Sequence, residues 1–421
     1  MLDESVEQAL EERLAKRMQQ ANTYVLKQIA NTLSKIGTIT PSEATKLVNV
    51  LKYGGNYKKI IKQLKKYTDL NVKDIDKIFK NVAKQNQYFA KQFYDYRNIP
   101  MIPYEQNTAL KSEVNAIAQA TKGSMSNISD TWGFQKIIND KRINTPLSEV
   151  YEDVIDRGVY AISQGKESFD SEARRIIKEL TNSGLRTIDF DSGYSRRVDS
   201  QVRMNLKDGL RTLNNTMFQQ FGEEFGADGV EISVHRRPAP DHAEVQGHQF
   251  SNEEFEKFQT DENCVDYKGT PFPSVSVETG HDRRSIGQYN CYHDIFPIIL
   301  GLTKPRYTDK ELQDIIDDAN REIEFENKKY TMYEATQLQR RLETEIRKNK
   351  DTYLMSQAIQ DEDLMLESEY KIRLLEKKYF KLSKISGLDT DLERLQVNGY
   401  RYNKLTQEQE DKLENYEKKN K

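Results

Sequence analysis

Apolar residues recur every three or four positions along most of this chain, and that spacing predicts helices. Between 4 and 36, Val6, Leu10, Leu14, Met18, Ala21, Val25 and Ile29 fall on one face, and Gly37 closes the element. Thr40-Pro41-Ser42-Glu43 then supplies an N-cap, a proline at the first helical position and a glutamate that can return to the cap. The helix it opens carries Ala44, Leu47, Val48 and Leu51, and Gly54-Gly55 stops it. A further helix is expected from near Asn71 to near Tyr96, ahead of Pro100 and Pro103. Over 106–145 the periodicity fades. Its TKGSMSNISDTWG stretch is small and polar and reads as a loop or hinge around Trp132. Helices resume near Pro146. Ala173, Ile176, Ile177 and Leu180 face inward, with Gly184 placed as a C′ residue. The clearest amphipathic helix covers 195–221, striped by Val198, Val202, Leu206, Leu210, Leu213, Met217 and Phe221.

The period changes after Gly226. Val230, Ile232 and Val234 alternate with Glu231, Ser233 and His235, which predicts a strand. Ser251 and Glu254 form a capping box for a short helix bearing Phe255 and Phe258. Residues 270–277, with Pro271 and Pro273, read as extended edge or loop, and 290–296 as a second strand. Only here does the pattern ask for β structure. Helix returns after Pro305, where Thr308 and Glu311 make another capping box. Ala335, Leu338, Leu342 and Ile346 share a face, and 351–385 mixes charges in the manner of a solvated or coiled-coil helix. The last twenty residues read as a frayed end.

The expected fold is therefore mainly α with a small central α+β module and elongated helical N- and C-terminal regions. The segments are a helical region at 1–105, the loop or hinge at 106–145, a helical region at 146–228, the module at 229–302 and a helical arm at 303–421. Composition sharpens this. Charged residues make up 31% and mean hydropathy is −0.84, which suits helices with large solvated surfaces and leaves no apolar run near membrane-span length. Acids early in the sequence exclude a signal peptide at the start shown, and two cysteines make no disulfide framework, so reducing cytoplasm is the expected setting.

A net charge of −3 excludes a generic polyanion binder, but the charge is uneven. Residues 52–91 hold 11 lysines against three aspartates. Lys58, Lys59, Lys62, Lys65 and Lys66 interleave with Tyr53, Tyr57 and Tyr67. Such a run either neutralises nucleic-acid phosphates or is a solvated helix face, which is the ordinary meaning of a charge run. Arg196, Arg203, Lys207 and Arg211 line up beside the 195–221 stripe and could pair with acids of a neighbouring helix.

All five histidines and both cysteines lie between 235 and 293: His235, His242, His248, Cys264, His281, Cys291 and His293. His235, His242, Cys291 and His293 have the nitrogen and sulfur donors zinc favours, without the paired spacing of a zinc finger. The bland expectation is that they satisfy hydrogen bonds in a small core, leaving the protein without a cofactor. Asp241-His242-Ala243-Glu244 and His281-Asp282 place acids beside histidines, as acid–base chemistry needs, yet no hydrolase or P-loop motif accompanies them.

Several ordered blocks carry a resemblance. Ser233-Val234-His235, then Pro240-Asp241-His242-Ala243 with Gln246-Gly247, then Asn290-Cys291-Tyr292-His293, Pro297 and Gly301 resemble the phage minor capsid protein type 2 family of tailed bacteriophages. Further matches lie at Gly184-Leu185, Ser192-Gly193 and Tyr333-Glu334-Ala335-Thr336-Gln337, so the likeness covers about 150–350. The family motif residues are thus His235, Pro240, His242, Gln246, Gly247, Asn290, Cys291 and His293. The family usually has Trp where Tyr289 stands and Arg where Tyr292 stands, which removes a charged contact at that spot. The resemblance implies a structural head protein without essential turnover, similar in role to Mu-type head morphogenesis proteins. It implies the portal and other head proteins as partners, with contact to packaged double-stranded DNA; the amphipathic helices add self-association as an expectation, and the lack of a long apolar run adds that of no membrane. It also implies residence in the virion head, with assembly in the host cytoplasm. The rivals are a zinc-dependent nuclease or hydrolase using His235, His242, Cys291 and His293, and an effector ejected into the host with the DNA.

Overall fold

The computed structural model of the chain describes residues 4–40, 43, 48, 50–52, 55–128, 131–189, 192–235, 238, 242–243, 245–260, 264–265, 283–284, 286–287, 291, 293–402, 406–408 and 410–411. The chain divides into two compact units. One comprises 1–11, 72–124 and 204–336, and the other 12–71, 125–203 and 337–421. Each is assembled from three separated stretches, so neither coincides with a single consecutive segment of the sequence.

The second unit is built on α1 (Glu4–Gly37), whose Leu14, Met18, Ala21, Val25 and Ile29 are all buried, as their spacing requires. It continues with the first half of α2 (Asn56–Arg97). The lysine run lies within this helix rather than ahead of a separate one at Asn71. The physical reason is plain: no Gly or Pro interrupts 56–97, and Gly55, at φ 83°, provides the break before it. Beyond α3 (Thr108–Asn127) comes the hairpin of β1 (Trp132–Ile138) and β2 (Lys141–Pro146). The expected hinge at 106–145 is therefore largely ordered. Leu110, Val114, Ala118 and Met125 give α3 a buried face, and Asn107 caps it by accepting from the Leu110 amide at 3.0 Å. Asn139 and Asp140 sit at φ 49° and 60°, the two positive angles a tight two-residue hairpin turn demands.

That hairpin joins β3 (Arg186–Ile188) and β4 (Ser195–Arg197) in an antiparallel sheet of order β2-β1-β3-β4. The helices α4 (Leu147–Ser163) and α5 (Lys166–Ser183) pack on each other and on β1. The unit closes with the rest of α9 (Met332–Ala358) and with α10 (Glu362–Ser386). Residues 351–356 are buried, not solvated. Their neighbours on α10 show how polar residues are tolerated there. Ser368, Ser383 and Ser386 each donate to the carbonyl four residues back, so these three buried hydroxyls are satisfied.

A buried charged layer crosses this unit. Asp199, in the first turn of α6 (Val198–Phe225), lies 3.5 Å from Arg347 Nη2, 3.6 Å from Arg203 Nη1 and 3.9 Å from Arg197 Nε. Burial alone would raise its pKa, but Arg347, Arg203 and Arg197 outweigh burial and hold the carboxyl at about 2. Asp351 behaves oppositely. Burial pushes it up to about 6 although Thr23 Oγ1 and Asn22 Nδ2 donate to it at 2.8 and 2.7 Å. Arg203 also reaches Glu12 at 2.9 Å, an acid of α1, as the aligned basic residues of this helix suggested.

The first unit takes the second half of α2, α3 and most of α6. Phe89, Phe93, Phe218, Phe225 and Phe296 form a continuous aromatic cluster, with Phe93 stacked on Phe225 at 4.9 Å. The Arg306 guanidinium lies 3.7 Å from the Phe296 ring centre. Phe296 belongs to β9 (Ile295–Ile298), so the cluster anchors that strand. β9 pairs antiparallel with β5 (Gly229–Ile232), which also pairs with β6 (Gln249–Ser251). The short helix α7 (Asn252–Thr260) starts at the expected capping box, with Ser251 and Glu254 bonded reciprocally. The paired dipeptides β7 (Cys264–Val265) and β8 (Arg283–Arg284) follow. So does α8 (Asp309–Asn320), with the expected Thr308–Glu311 box. A hairpin of β10 (Glu322–Phe325) and β11 (Lys328–Thr331), turning at Glu326-Asn327, leads into α9. Thus β structure is not confined to 229–302. β10 and β11 are four residues each, too short for their alternation to register, and β1 ends in the adjacent Ile137-Ile138, which breaks its alternation. The stretch 270–277 and the chain beyond 411 lie outside the described residues.

Candidate metal centre

The β5–β9 pairing sets the site. Ile232 is opposite Ile295, and the ladder continues one step further: the Ser233 amide donates to Asp294 O at 3.0 Å, and the Asp294 amide to Ser233 Oγ at 2.9 Å. This fixes His293 and Cys291 at the entrance to β9. They were expected within a strand from 290; instead β9 begins at Ile295. The irregular backbone still turns both side chains inward, and the His293 amide donates to Cys291 Sγ at 3.4 Å.

The other wall is the turn after His242. Its return is locked to β5, because the Gly247 amide donates to Ile232 O at 2.9 Å and the Ile232 amide to His248 O at 3.2 Å. His242, Cys291 and His293 thereby converge, with donor atoms all within 4.8 Å of one another. Cys291 Sγ is 3.5 Å from His293 Nδ1 and 3.8 Å from His242 Nδ1. The three side chains are 1%, 6% and 3% exposed for His242, Cys291 and His293, so the cluster is closed to solvent. Ile232, Val245 and Ile286 pack around Cys291.

Gln246 organises the protons. Its Oε1 accepts the His235 amide at 2.8 Å, which fixes that atom as the oxygen. The same oxygen lies 3.3 Å from His293 Nε2, so Nε2 is the donor of this pair, and in the neutral ring Nδ1, facing the sulfur, carries the lone pair. Among the described residues Gln246 Nε2 finds no hydrogen-bond partner although the residue is 2% exposed. The flipped amide would set its NH2 against the His235 N–H, donor against donor, so the acceptor role decides the orientation.

His235 is placed differently from expectation. Its ring meets His293 edge-on, with centres 4.6 Å apart, and its donor atoms stay outside the three-residue group. His248 sits in the β5 ladder through its carbonyl. Pro240, Asn290, His281 and the side chain of Cys264 lie outside the described residues. Gln246 as the holder of His293 was not legible beforehand; only its place in a motif block pointed to it. The five lysines are far from this site in sequence and form a separate surface. All five are exposed, while Ile60, Leu64 and Thr68 of the same helix are buried.

A mainly helical chain carrying a small α+β module around a closed His/Cys cluster is the class of protein these features define. The chain belongs to the phage minor capsid protein 2 family, whose model matches residues 4–382. That match extends in both directions beyond the stretch covered by the motif blocks and takes in the helical regions as well. Neither a curated protein nor a solved structure matches the chain. Its family makes it a structural protein of a bacteriophage, with the virion as its location. No helix among the described residues is long and apolar enough to cross a membrane.

Proposed function

We propose that the chain is a head component that docks on the portal during head assembly and presents a basic helix face to the packaged double-stranded DNA. Membership of the minor capsid family carries the head role. The DNA contact is supported by one observation in particular. At about 100° per residue, Lys58, Lys59, Lys62, Lys65 and Lys66 fall within an arc of about 120° on α2. Among the described residues none of the five is in an ion pair, whereas Lys80 and Lys84, further along the same helix, both reach Glu105. A solvated face normally interleaves acids; this arc holds none before Asp69. The closed His/Cys cluster favours this structural role over a zinc-dependent nuclease or hydrolase, which would need substrate access.

Co-expression with the portal protein of the same phage tests the docking: a complex that survives size-exclusion chromatography is expected, and two separate peaks would reject it. The DNA face has its own readout. If five lysines each displace a counterion, affinity for duplex DNA falls about 500-fold between 50 and 200 mM salt. Changing all five to glutamine flattens that dependence. An equally steep slope in the variant would remove the contact from this helix.

A further inference from the structure

We infer that His242, Cys291 and His293 hold a zinc ion that cross-links the turn at 242–247 to the strand at 295–298. Four features of the cluster point to a cation rather than to a set of hydrogen bonds. The first is metric. Zinc bonds of about 2.3 Å to sulfur and about 2.05 Å to nitrogen, at tetrahedral angles, put sulfur and nitrogen about 3.5 Å apart. The observed separations from Cys291 Sγ are 3.5 and 3.8 Å, and the three donors lie within 4.8 Å of one another, so small side-chain shifts complete the geometry.

The second is protonation. His293 Nδ1 directs a lone pair at the sulfur because Gln246 Oε1 takes the Nε2 proton. This is the arrangement by which metal-bound imidazoles are usually oriented, the non-ligating N–H donating to a carbonyl oxygen. The third is the sulfur. It accepts the His293 backbone N–H at 3.4 Å, which orients it into the cluster as an acceptor beside both imidazoles. The fourth is burial: the donors are shut in by Ile232, Val245 and Ile286, so the ion would be held rather than exchanged.

With three protein donors in place, the fourth position falls to water or to a small movement of the His235 ring, already against His293. Closure of the site makes the ion structural. It would also explain why a short module with little regular sheet keeps a defined fold, since metal binding free energy becomes folding free energy. The inference is independent of portal docking and DNA contact, and its test does not involve either partner.

The full chain is purified without chelators and analysed for metal, then stripped and reloaded with cobalt(II). About one equivalent of zinc is expected as purified. The cobalt form is expected to show the visible bands of a tetrahedral site together with a thiolate-to-cobalt charge-transfer band in the near ultraviolet. His293→Ala and Cys291→Ser should each lower retained metal at least about tenfold while far-ultraviolet circular dichroism keeps its helical amplitude. Should a variant fail to fold, the cobalt spectrum of the unaltered chain still decides. Metal below about a tenth of an equivalent, both as purified and after reloading and dialysis, would overturn the inference. So would a cobalt spectrum without the thiolate band.

Discussion

Replacing Asp199 with alanine is expected to destabilise the unit containing it by about 3–5 kcal/mol, the usual result of removing one partner from a buried ion pair. Arg347 is the reason. Its side chain is 8% exposed, so without the Asp199 carboxylate it remains a buried cation hydrogen-bonded to neutral acceptors, Arg394 O at 2.7 Å and Thr344 Oγ1 at 3.3 Å, with Glu343 as a remaining nearby acid. Arg197 and Arg203 would repel it with nothing between them. The position also opens α6, where a carboxylate favours the exposed amides of the first turn. Urea titration followed by tyrosine and tryptophan fluorescence checks the magnitude. A loss under about 1 kcal/mol would show that the pair behaves like an exposed one.

The pH dependence separates charge from packing. A carboxyl held at about 2 against an ordinary 3.8 contributes stability that is complete above pH 3.8 and disappears as the pH falls toward 2. That limb amounts to about 2 kcal/mol. Asp351, pushed up to about 6, acts with the opposite sign: its ionisation disfavours the fold above pH 6, and the penalty of about 3 kcal/mol is relieved as the pH drops from 6 toward 4. Asp199→Asn should remove only the lower limb and Asp351→Asn only the upper one.

The second large effect is expected at Gly247. Its φ is +74°, a conformation that costs an L-residue about 1–2 kcal/mol. An added Cβ would stand 2.8 Å from Val234 Cγ2 and closer still to Leu312 Cδ2, with Leu312 Cδ1 at 3.2 Å. Leu312 is 4% exposed and has no room to retreat, and the Gly247 amide is tied to Ile232 O. Strain and overpacking together put Gly247→Ala at about 2–4 kcal/mol. If the clash dominates, Leu312→Ala in the same chain recovers part of the loss, so the double variant is less unstable than the sum of the singles. Strict additivity would assign the whole cost to the backbone. Gly247 follows Gln246 directly, so the same substitution should loosen His293 as well.

Much of the helical frame was legible because its signals are local. The α1 stripe and the boxes at Ser251–Glu254 and Thr308–Glu311 need only residues within a turn of each other. The strand at Val230 was legible for the same reason, since its alternation is dictated by one buried face. What stayed hidden depends on distant partners. The hairpin at 132–146 leaves Ile137, Ile138 and Ile143 exposed, so no one-sided apolar alternation marks it, and it is completed by β3, some forty residues on. Helix α2 looked like two elements because the lysines masked Ile60 and Leu64, which continue its buried face. At the site, the donor types were plain from their segregation between 235 and 293, but convergence was not. His242 and Cys291 are separated by 49 residues and meet only through the β5–β9 register. His235 shares the motif yet contributes a ring edge and a main-chain amide to the cluster rather than one of its converging donors.

A chain built into the phage head travels with purified particles. Quantitative mass spectrometry of gradient-purified particles, normalised to the major capsid protein, tests it most directly. The chain is expected in the particles at a fixed low ratio, unchanged by a high-salt wash that removes adsorbed host proteins. Its absence from particles, with abundant chain left free in the lysate, would contradict the account.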